Sequence, residues 1–569
     1  MVKAARHAAP ARRGARFPLR TLLLAAAVAA VVWLNLQQPY GGGRGREGCA
    51  GRAAARKAAR GGKGGVFKEV FATLFAIEMR LLLHLNNDGP LPPADAPHSL
   101  DEIIDIVQGQ GVDILFVSFR WEDQQPSQEA FDFRVMDYVQ RTVCSRGLRL
   151  SVILDARASP GWVFDMHPDA GLVDADGDVR KEISFSHAGA MQLLFGWHEA
   201  ALSRLAAANA SCIHSIQPTF NNQYETKYTQ ERDAFQDYNT HVVALYRQYL
   251  RSIHGAISHW NARWGSSWAD WAGFRPPPLH MHGPHWNNSL TDLAYWDWQH
   301  FRHQRIHAAH ENCCQHVAAH GLRCIMHFGE FFAATDAIYA SGAVFTLAAS
   351  PWLDYVVVDS NFISAALQPN DVRIVQVLLS AMKPYGKPVF FEGAFEEIKD
   401  PSLHRSAVEL TVASGAHGVG FTNWLDRVGP TFFRDTLAGL SHIVPAGPPV
   451  AILTPYRSYY AYKGMAYVSK GVRDPHDPVQ EDLFACLDVV QAAVPSLGGL
   501  QIFGVPTMLL PVLQHFEQVW YLEPKVLLSA DARTVERVRG RAAALRIPLH
   551  ECVARPAPPI AIKECCPSP

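Results

Sequence analysis

The side chains best suited to chemistry cluster at the ends of apolar runs. Ile213 to Phe220 is a β-prone run that leads straight into Asn221-Asn222-Gln223-Tyr224-Glu225, and Pro388-Val-Phe-Phe-Glu392 repeats the pattern with one carboxylate at its end. Buried strands that deliver polar side chains into a site read in this way. Two acidic strand ends suggest sugar chemistry, which needs a carboxylate to attack or activate water and a carboxylic acid to protonate the departing oxygen. Two histidine groups stand apart from these ends. His280, His282 and His285 lie in a Pro-flanked loop, and His300, His303, His307 and His310 recur at helical spacing. Without an acid-rich partner set they read as a loop and a solvated helix face, and no metal or cofactor is expected.

Alternating strand-like and helix-like segments must position the acidic ends. Ser99-Leu-Asp-Glu102 reads as a capping box opening a helix through Val107, and a buried strand follows from Gly111 to Ser118. Phe131 to Ser145 is a helical pattern stopped by Gly147, with a strand at Leu148 to Leu154. Ala188 to Ala208 is helical and leads to the Ile213 run. Later strands are expected at Leu322 to His327, Tyr355 to Asp359, Val389 to Glu392 and Gly418 to Asn423. With a first strand within Phe71 to Glu78, the units number eight, which predicts an α/β fold: a (β/α)8 TIM barrel over 66–445 with its site at the carboxyl ends of the strands. After Pro445 the character changes, and 448–553 reads as a smaller α/β domain before a Pro/Cys-rich tail at 554–569.

Composition bounds the alternatives. The chain has 569 residues, 48% hydrophobic and 18% charged, which excludes a mostly disordered protein. A net charge of -1 gives no electrostatic reason to expect a nucleic-acid partner. The 10 Cys show no C-x-x-C pair; Cys313-Cys314 and Cys565-Cys566 are candidates for disulfides in an oxidising compartment, and free core thiols are the alternative. Residues 1–65 read as a targeting segment: Arg6, Arg12, Arg13, Arg16 and Arg20 precede the apolar run Leu22 to Leu34, and a Gly/Arg/Ala-rich stem follows. The expectation is a signal anchor, a transmembrane helix from Phe17 to Leu36, in a single-pass type II membrane protein with a lumenal or extracellular body in the Golgi or secretory pathway. A cleaved signal peptide and an organellar transit peptide are the other readings.

Four segments and the last domain carry a resemblance to glycoside hydrolase family 42, the β-galactosidases, from about Val112 to Leu549. Phe131-Asp-Phe and Gly161-Trp-Val-Phe-Asp-Met-His-Pro168 resemble the family's early barrel turns; Asn261-Ala-Arg-Trp-Gly-Ser-Ser-Trp268 resembles an insertion after the fourth strand; Gly415-Ala-His-Gly-Val-Gly-Phe-Thr-Asn-Trp424 resembles the eighth strand. The last domain, around Val519-Trp-Tyr-Leu-Glu-Pro, is similar to the family's flavodoxin-like trimerisation domain and implies a homotrimer.

The resemblance implies a retaining glycosidase acting on a carbohydrate substrate, with Glu392 as nucleophile. At the acid/base position the family has Asn-Glu-Tyr, and this chain has Asn222-Gln223-Tyr224. Gln cannot supply a proton. Three readings stay open: Glu225, two residues on and on the same face by strand alternation, substitutes; Gln223 only orients a leaving group that departs unprotonated; or the barrel has lost hydrolysis and binds glycans. Asn222 would donate to the sugar 2-hydroxyl, beside Tyr224. Trp162 and Trp424 are stacking platforms or packed core. Glu330 and Asp359 bond the sugar or are structural carboxylates.

Overall fold

The computed structural model describes residues 69–74, 85–86, 89–90 and 100–562, except 158, 221–224, 229–234, 279–292, 330–339, 341, 360–368, 394–400, 423–430, 432–433, 436–448, 459–477, 495–498, 525 and 553–558. Eight parallel strands close a ring: β1 (Glu69–Leu74), β2 (Ile114–Arg120), β3 (Arg149–Asp155), β4 (Ile213–Thr219), β5 (Cys324–Phe328), β6 (Leu353–Asp359), β7 (Val389–Glu392) and β8 (Gly418–Thr422). β1 pairs with both β8 and β2, so no edge is left. The described helices of the outer layer are α1 (Leu100–Gly109), α2 (Arg134–Ser145), α3 (Ala188–Asn209), α4 (Leu293–Ala319), α5 (Ala343–Ala349), α6 (Pro369–Met382) and α7 (Pro401–Ala413). The TIM-barrel expectation therefore holds, with each strand within a few residues of its expected place. Gly147, the expected stop of α2, takes a left-handed φ of 78° that an L side chain rarely adopts.

Side-chain parity divides the strands. Ile114, Phe116, Ile153, Ile325, Tyr355, Val357 and Phe390 form one buried cluster, while Leu115, Val117, Val152, Leu154, Ile216, Met326, Val356, Val358 and Phe391 join the larger core shared with the helices. The first set fills the ring and the second faces outward, because successive strand residues alternate faces. Lower in the ring, Ser151 and Ser215 hydroxyls bond at 2.8 Å across β3 and β4.

A second parallel sheet follows, ordered β10, β9, β11, β12 from β9 (Pro449–Leu453), β10 (Gly499–Phe503), β11 (Gln518–Tyr521) and β12 (Leu549–Glu551). With α8 (Pro478–Ala493) and α9 (Ser529–Leu545), this is the strand order of a flavodoxin-like domain. It packs on the barrel through α5 and α6. The Phe345 ring lies 4.4 Å from Tyr456, a Cβ added at Gly504 would stand 2.5 Å from the same ring, and Arg373 donates to both Asp488 oxygens at 2.7 Å.

Two expectations change. The signal-anchor, transmembrane and type II reading, and the lumenal Golgi placement that rested on it, are corrected: among the described residues no helix is long and apolar enough to cross a membrane. The expected span Phe17 to Leu36 reaches 20 residues only by taking in Arg20 and Asn35, and its uninterrupted apolar run, Leu22 to Leu34, has 13. At 1.5 Å per residue that reaches roughly 20 Å, against about 30 Å of hydrocarbon. Residues 1–68 themselves lie outside the described residues. The histidine stripe is likewise not a solvated face. His310 is buried, and burial drives the rings of His300, His303 and His310 well below the usual imidazole range. His280, His282 and His285 lie outside the described residues. Disulfides join Cys144 to Cys212, Cys314 to Cys324 and Cys486 to Cys552; Cys313 is a free, buried thiol, and Cys565 and Cys566 lie outside the described residues.

Candidate active site

The interior parity, continued to the carboxyl ends, sets Arg120, Asp155, Thr219, His327, Asp359 and Glu392 on the inward side of β2 to β7. Glu392 of β7 is in register with Asp359 of β6 on one side and with Gly420 of β8 on the other. Adjacent strands are about 4.8 Å apart, so the two carboxylates rise side by side from the floor of the mouth. Glu392 is 7% exposed and Asp359 is half-buried.

Glu225 reaches the mouth by a different route from the expected one. β4 ends at Thr219, and its registered pairing with β5 is confined to Ile216 and Cys324, with the Ile216 amide donating to the Arg323 carbonyl. Higher up that seam the segment 225–228 takes the place of the strand: the Thr226 amide donates to the His327 carbonyl at 2.6 Å. Glu225, 5% exposed, is thereby pressed against β5. Gly329 makes room for it, since a Cβ there would stand 2.5 Å from Glu225 Oε2. The Lys227 ammonium forms a buried ion pair with the same oxygen. One ligand atom each of Glu225, His327 and Asp359 lie within 4.8 Å of one another. The two remote segments therefore meet at one rim.

Several charged residues of the rim escaped the reading of the sequence. Asp155 is wholly buried, and that burial pushes its carboxyl up to about 6 against the opposing pull of Arg157 and Arg120. Its Oδ1 accepts the Arg157 amide at 3.0 Å and its Oδ2 lies 3.4 Å from the Arg157 guanidinium. Arg120 pairs with Glu122. Burial lowers the His327 ring to about 4, with Glu225 opposing, so it is neutral at pH 7. The expected strands stop at Ser118 and Leu154, two residues short of Arg120 and one short of Asp155, and carrying the alternation on finds both.

Trp162 is half-buried at the start of the short helix Gly161–Met166. Its indole N–H donates to the Gln125 carbonyl at 2.9 Å, and its ring meets Trp121 edge-on at 6.2 Å. Asn222, Gln223, Tyr224, Glu330 and Trp424 lie outside the described residues.

A ring of eight parallel strands with carboxylates at its carboxyl end defines a (β/α)8 barrel of the kind that hosts polar group-transfer and hydrolytic chemistry. The family described as beta-galactosidase, glycoside hydrolase family 42, matches residues 93–429, and the chain belongs to that family. It is 25% identical over 172 residues to a beta-galactosidase of Arthrobacter sp, covering 29% of this chain and 23% of that one. Against a beta-galactosidase of Geobacillus kaustophilus it is 22% identical over 233 residues, 38% of this chain and 32% of the relative. The matches thus span about a quarter to a third of these curated relatives. Among solved structures, a GH42 beta-galactosidase from G. stearothermophilus superposes with a TM-score of 0.61 at 14% identity, covering 83% of this chain and 70% of that chain. A beta-galactosidase from the psychrophilic Marinomonas ef1 gives 0.59 at 13%, covering 82% and 74%. At these identities the likeness is one of fold.

Proposed function

We propose that this protein is a glycoside hydrolase that removes terminal β-galactosyl groups by retaining double displacement. The observation that carries the reading is Glu392, an inward-facing carboxylate at the end of β7, in a chain of the beta-galactosidase family. In the first half-reaction a Glu392 oxygen attacks the anomeric carbon and the glycosidic bond breaks; in the second, water displaces Glu392 and restores the original anomeric configuration. Glu225 is the proton donor of this reading, with Asp359, Glu330 and Asn222 as sugar hydrogen-bond partners beside Tyr224. Trp162 and Trp424 supply faces for the sugar ring.

One observation favours the second reading, a catalytically impaired glycan-binding protein on the same scaffold: Lys227 is ion-paired with Glu225 and must release it before a proton can pass. The purified chain is expected to turn over an activated aryl β-galactoside and to release the β-anomer first, as seen by NMR. Lactose is expected to be a far poorer substrate, and Gln223→Glu to raise its turnover by about 10²-fold, the usual contribution of a well-placed general acid. Galactose binding without turnover of either substrate would select the binding protein.

Gly329→Ala tests the role of Glu225 itself. The added methyl drives the carboxylate away, and a displacement near 1 Å costs about 10²-fold in rate. The expected loss falls on kcat for lactose with the thermal midpoint little changed. An unaltered kcat would remove Glu225 from the reaction.

A further inference from the structure

We propose that Glu225, His327 and Asp359 form a binding site for one divalent transition-metal ion in the barrel mouth, and that Lys227 holds the place of its charge when no metal is bound. In a tetrahedral site, ligands at about 2.0 to 2.2 Å place their donor atoms about 3.3 to 3.6 Å apart. The three donor atoms already lie within 4.8 Å of one another, so rotation of the two carboxylate ends closes the set. Two of the ligands stand on neighbouring barrel strands, and the third is pinned there by the bond from the Thr226 amide to the His327 carbonyl. The site is built before any ion arrives.

The histidine supplies the second, independent observation. His327 is 4% exposed, and its Nε2 is buried with no hydrogen-bond partner among the described residues. A buried ring nitrogen left without a partner costs free energy that a ligand would recover. Lys227, itself only 8% exposed, shows that the pocket already demands a cation: its ammonium neutralises Glu225 in a place where a free carboxylate would be costly. A divalent ion offers more charge and engages all three side chains at once.

The other grouping of this kind among the described residues, Asp169, His187 and His241, behaves differently. His187 Nδ1 accepts the Ala190 amide at 3.0 Å as the cap of α3, which puts the ring proton on Nε2, toward Asp169. A metal there would have to break the cap. At His327 no such cost arises.

One imidazole with two carboxylates suits Zn²⁺ or Mn²⁺ better than Mg²⁺, which prefers oxygen ligands and keeps its waters. This inference goes beyond the glycosidase reading and stands whether or not hydrolysis occurs. An ion on Glu225 and Asp359 would withhold both from a sugar.

The experiment is a calorimetric titration of untagged, chelator-treated full-length protein with Zn²⁺, and with Mg²⁺ for comparison. One equivalent of Zn²⁺ is expected to bind, and Mg²⁺ is not. Losing an outer partner of a metal ligand costs 10- to 100-fold, so His327→Gln or Asp359→Asn, each losing a direct ligand, is expected to weaken Zn²⁺ by about 10²-fold or more. Lys227→Met keeps all three ligands, removes the competing charge and should tighten binding by about tenfold or more. X-ray absorption at the zinc edge should show nitrogen and oxygen neighbours without sulfur, which separates this site from the cysteines. Absence of a one-equivalent isotherm overturns the proposal, as does a sulfur shell or an affinity indifferent to Lys227→Met. Turnover assays on the same samples report on the glycosidase reading separately.

Discussion

Glu392→Gln is expected to lower kcat/KM on an aryl β-galactoside by about 10⁴-fold or more, the scale seen when a covalent nucleophile is removed from an enzyme. The change keeps the size and shape of the side chain and leaves Asp359 and Gly420 as its neighbours in register. What it removes is the negative oxygen that must form the ester bond to the sugar, and an amide cannot substitute. In Glu392→Ala, which empties the position, small anionic nucleophiles such as azide are expected to restore part of the rate with inverted product, because they take over the attack that the carboxylate no longer makes. Undiminished turnover by the Glu392→Gln variant would show that the nucleophile lies elsewhere. Because the substitution is nearly isosteric at a rim position, its thermal midpoint should stay close to that of the parent.

The second large effect is on stability. His198, His310 and His327 are buried and His300 and His303 half-buried, all held neutral by desolvation, which drives His198 and His300 to about 3 and His310 and His327 to about 4 and lowers His303 in the same direction. Each binds its proton in the unfolded chain near 6.5 and refuses it in the native one. The stability they contribute is therefore complete above pH 6.5 and is lost as pH falls through the folded values, by about 3 kcal/mol at pH 4 for each of His198, His300, His310 and His327, with His303 acting in the same direction. Asp155 and Asp237 act in the opposite sense. Burial raises both to about 6, so their contribution is complete below about pH 4 and is lost as pH rises through 6. Five histidines outweigh two carboxyls, and the net loss between pH 6.5 and 4 rivals the roughly 5 to 15 kcal/mol that holds a domain together.

Unfolding of the chain is therefore expected as pH falls from 6.5 toward 4, before ordinary carboxylates have fully titrated. His198→Leu isolates one contributor. Both its ring nitrogens are buried without a hydrogen-bond partner among the described residues, between Phe195 and Trp197. Replacing it with an aliphatic side chain of similar volume should be neutral or stabilising at pH 7 and should recover about 3 kcal/mol at pH 4. Denaturant unfolding at the two pH values, followed by circular dichroism, measures the difference. Equal acid sensitivity in the parent and His198→Leu would discount the buried ring as a source.

The eight barrel strands and the helical patterns between them are legible from the sequence, as is a smaller α/β domain after them though not its strands Gly499–Phe503 and Leu549–Glu551, because burial on both faces of a parallel strand leaves continuous apolar runs and each turn back needs a residue such as Gly147. Glu392 was legible for the same reason, as the polar residue that ends such a run. The segment Phe17 to Leu36 reads as an anchor on its apolar character, although its uninterrupted apolar run, Leu22 to Leu34, falls short of a bilayer. Tertiary structure alone decided the rest of the rim. Whether Glu225 stands near Asp359 depends on the incomplete seam between β4 and β5 into which segment 225–228 docks, and no local pattern records a seam between strands more than a hundred residues apart. The same holds for Lys227 on Glu225 and for the neutral, buried His327. Their charge states follow from how completely the closed ring excludes water, a property of the assembled barrel and not of any segment of the chain.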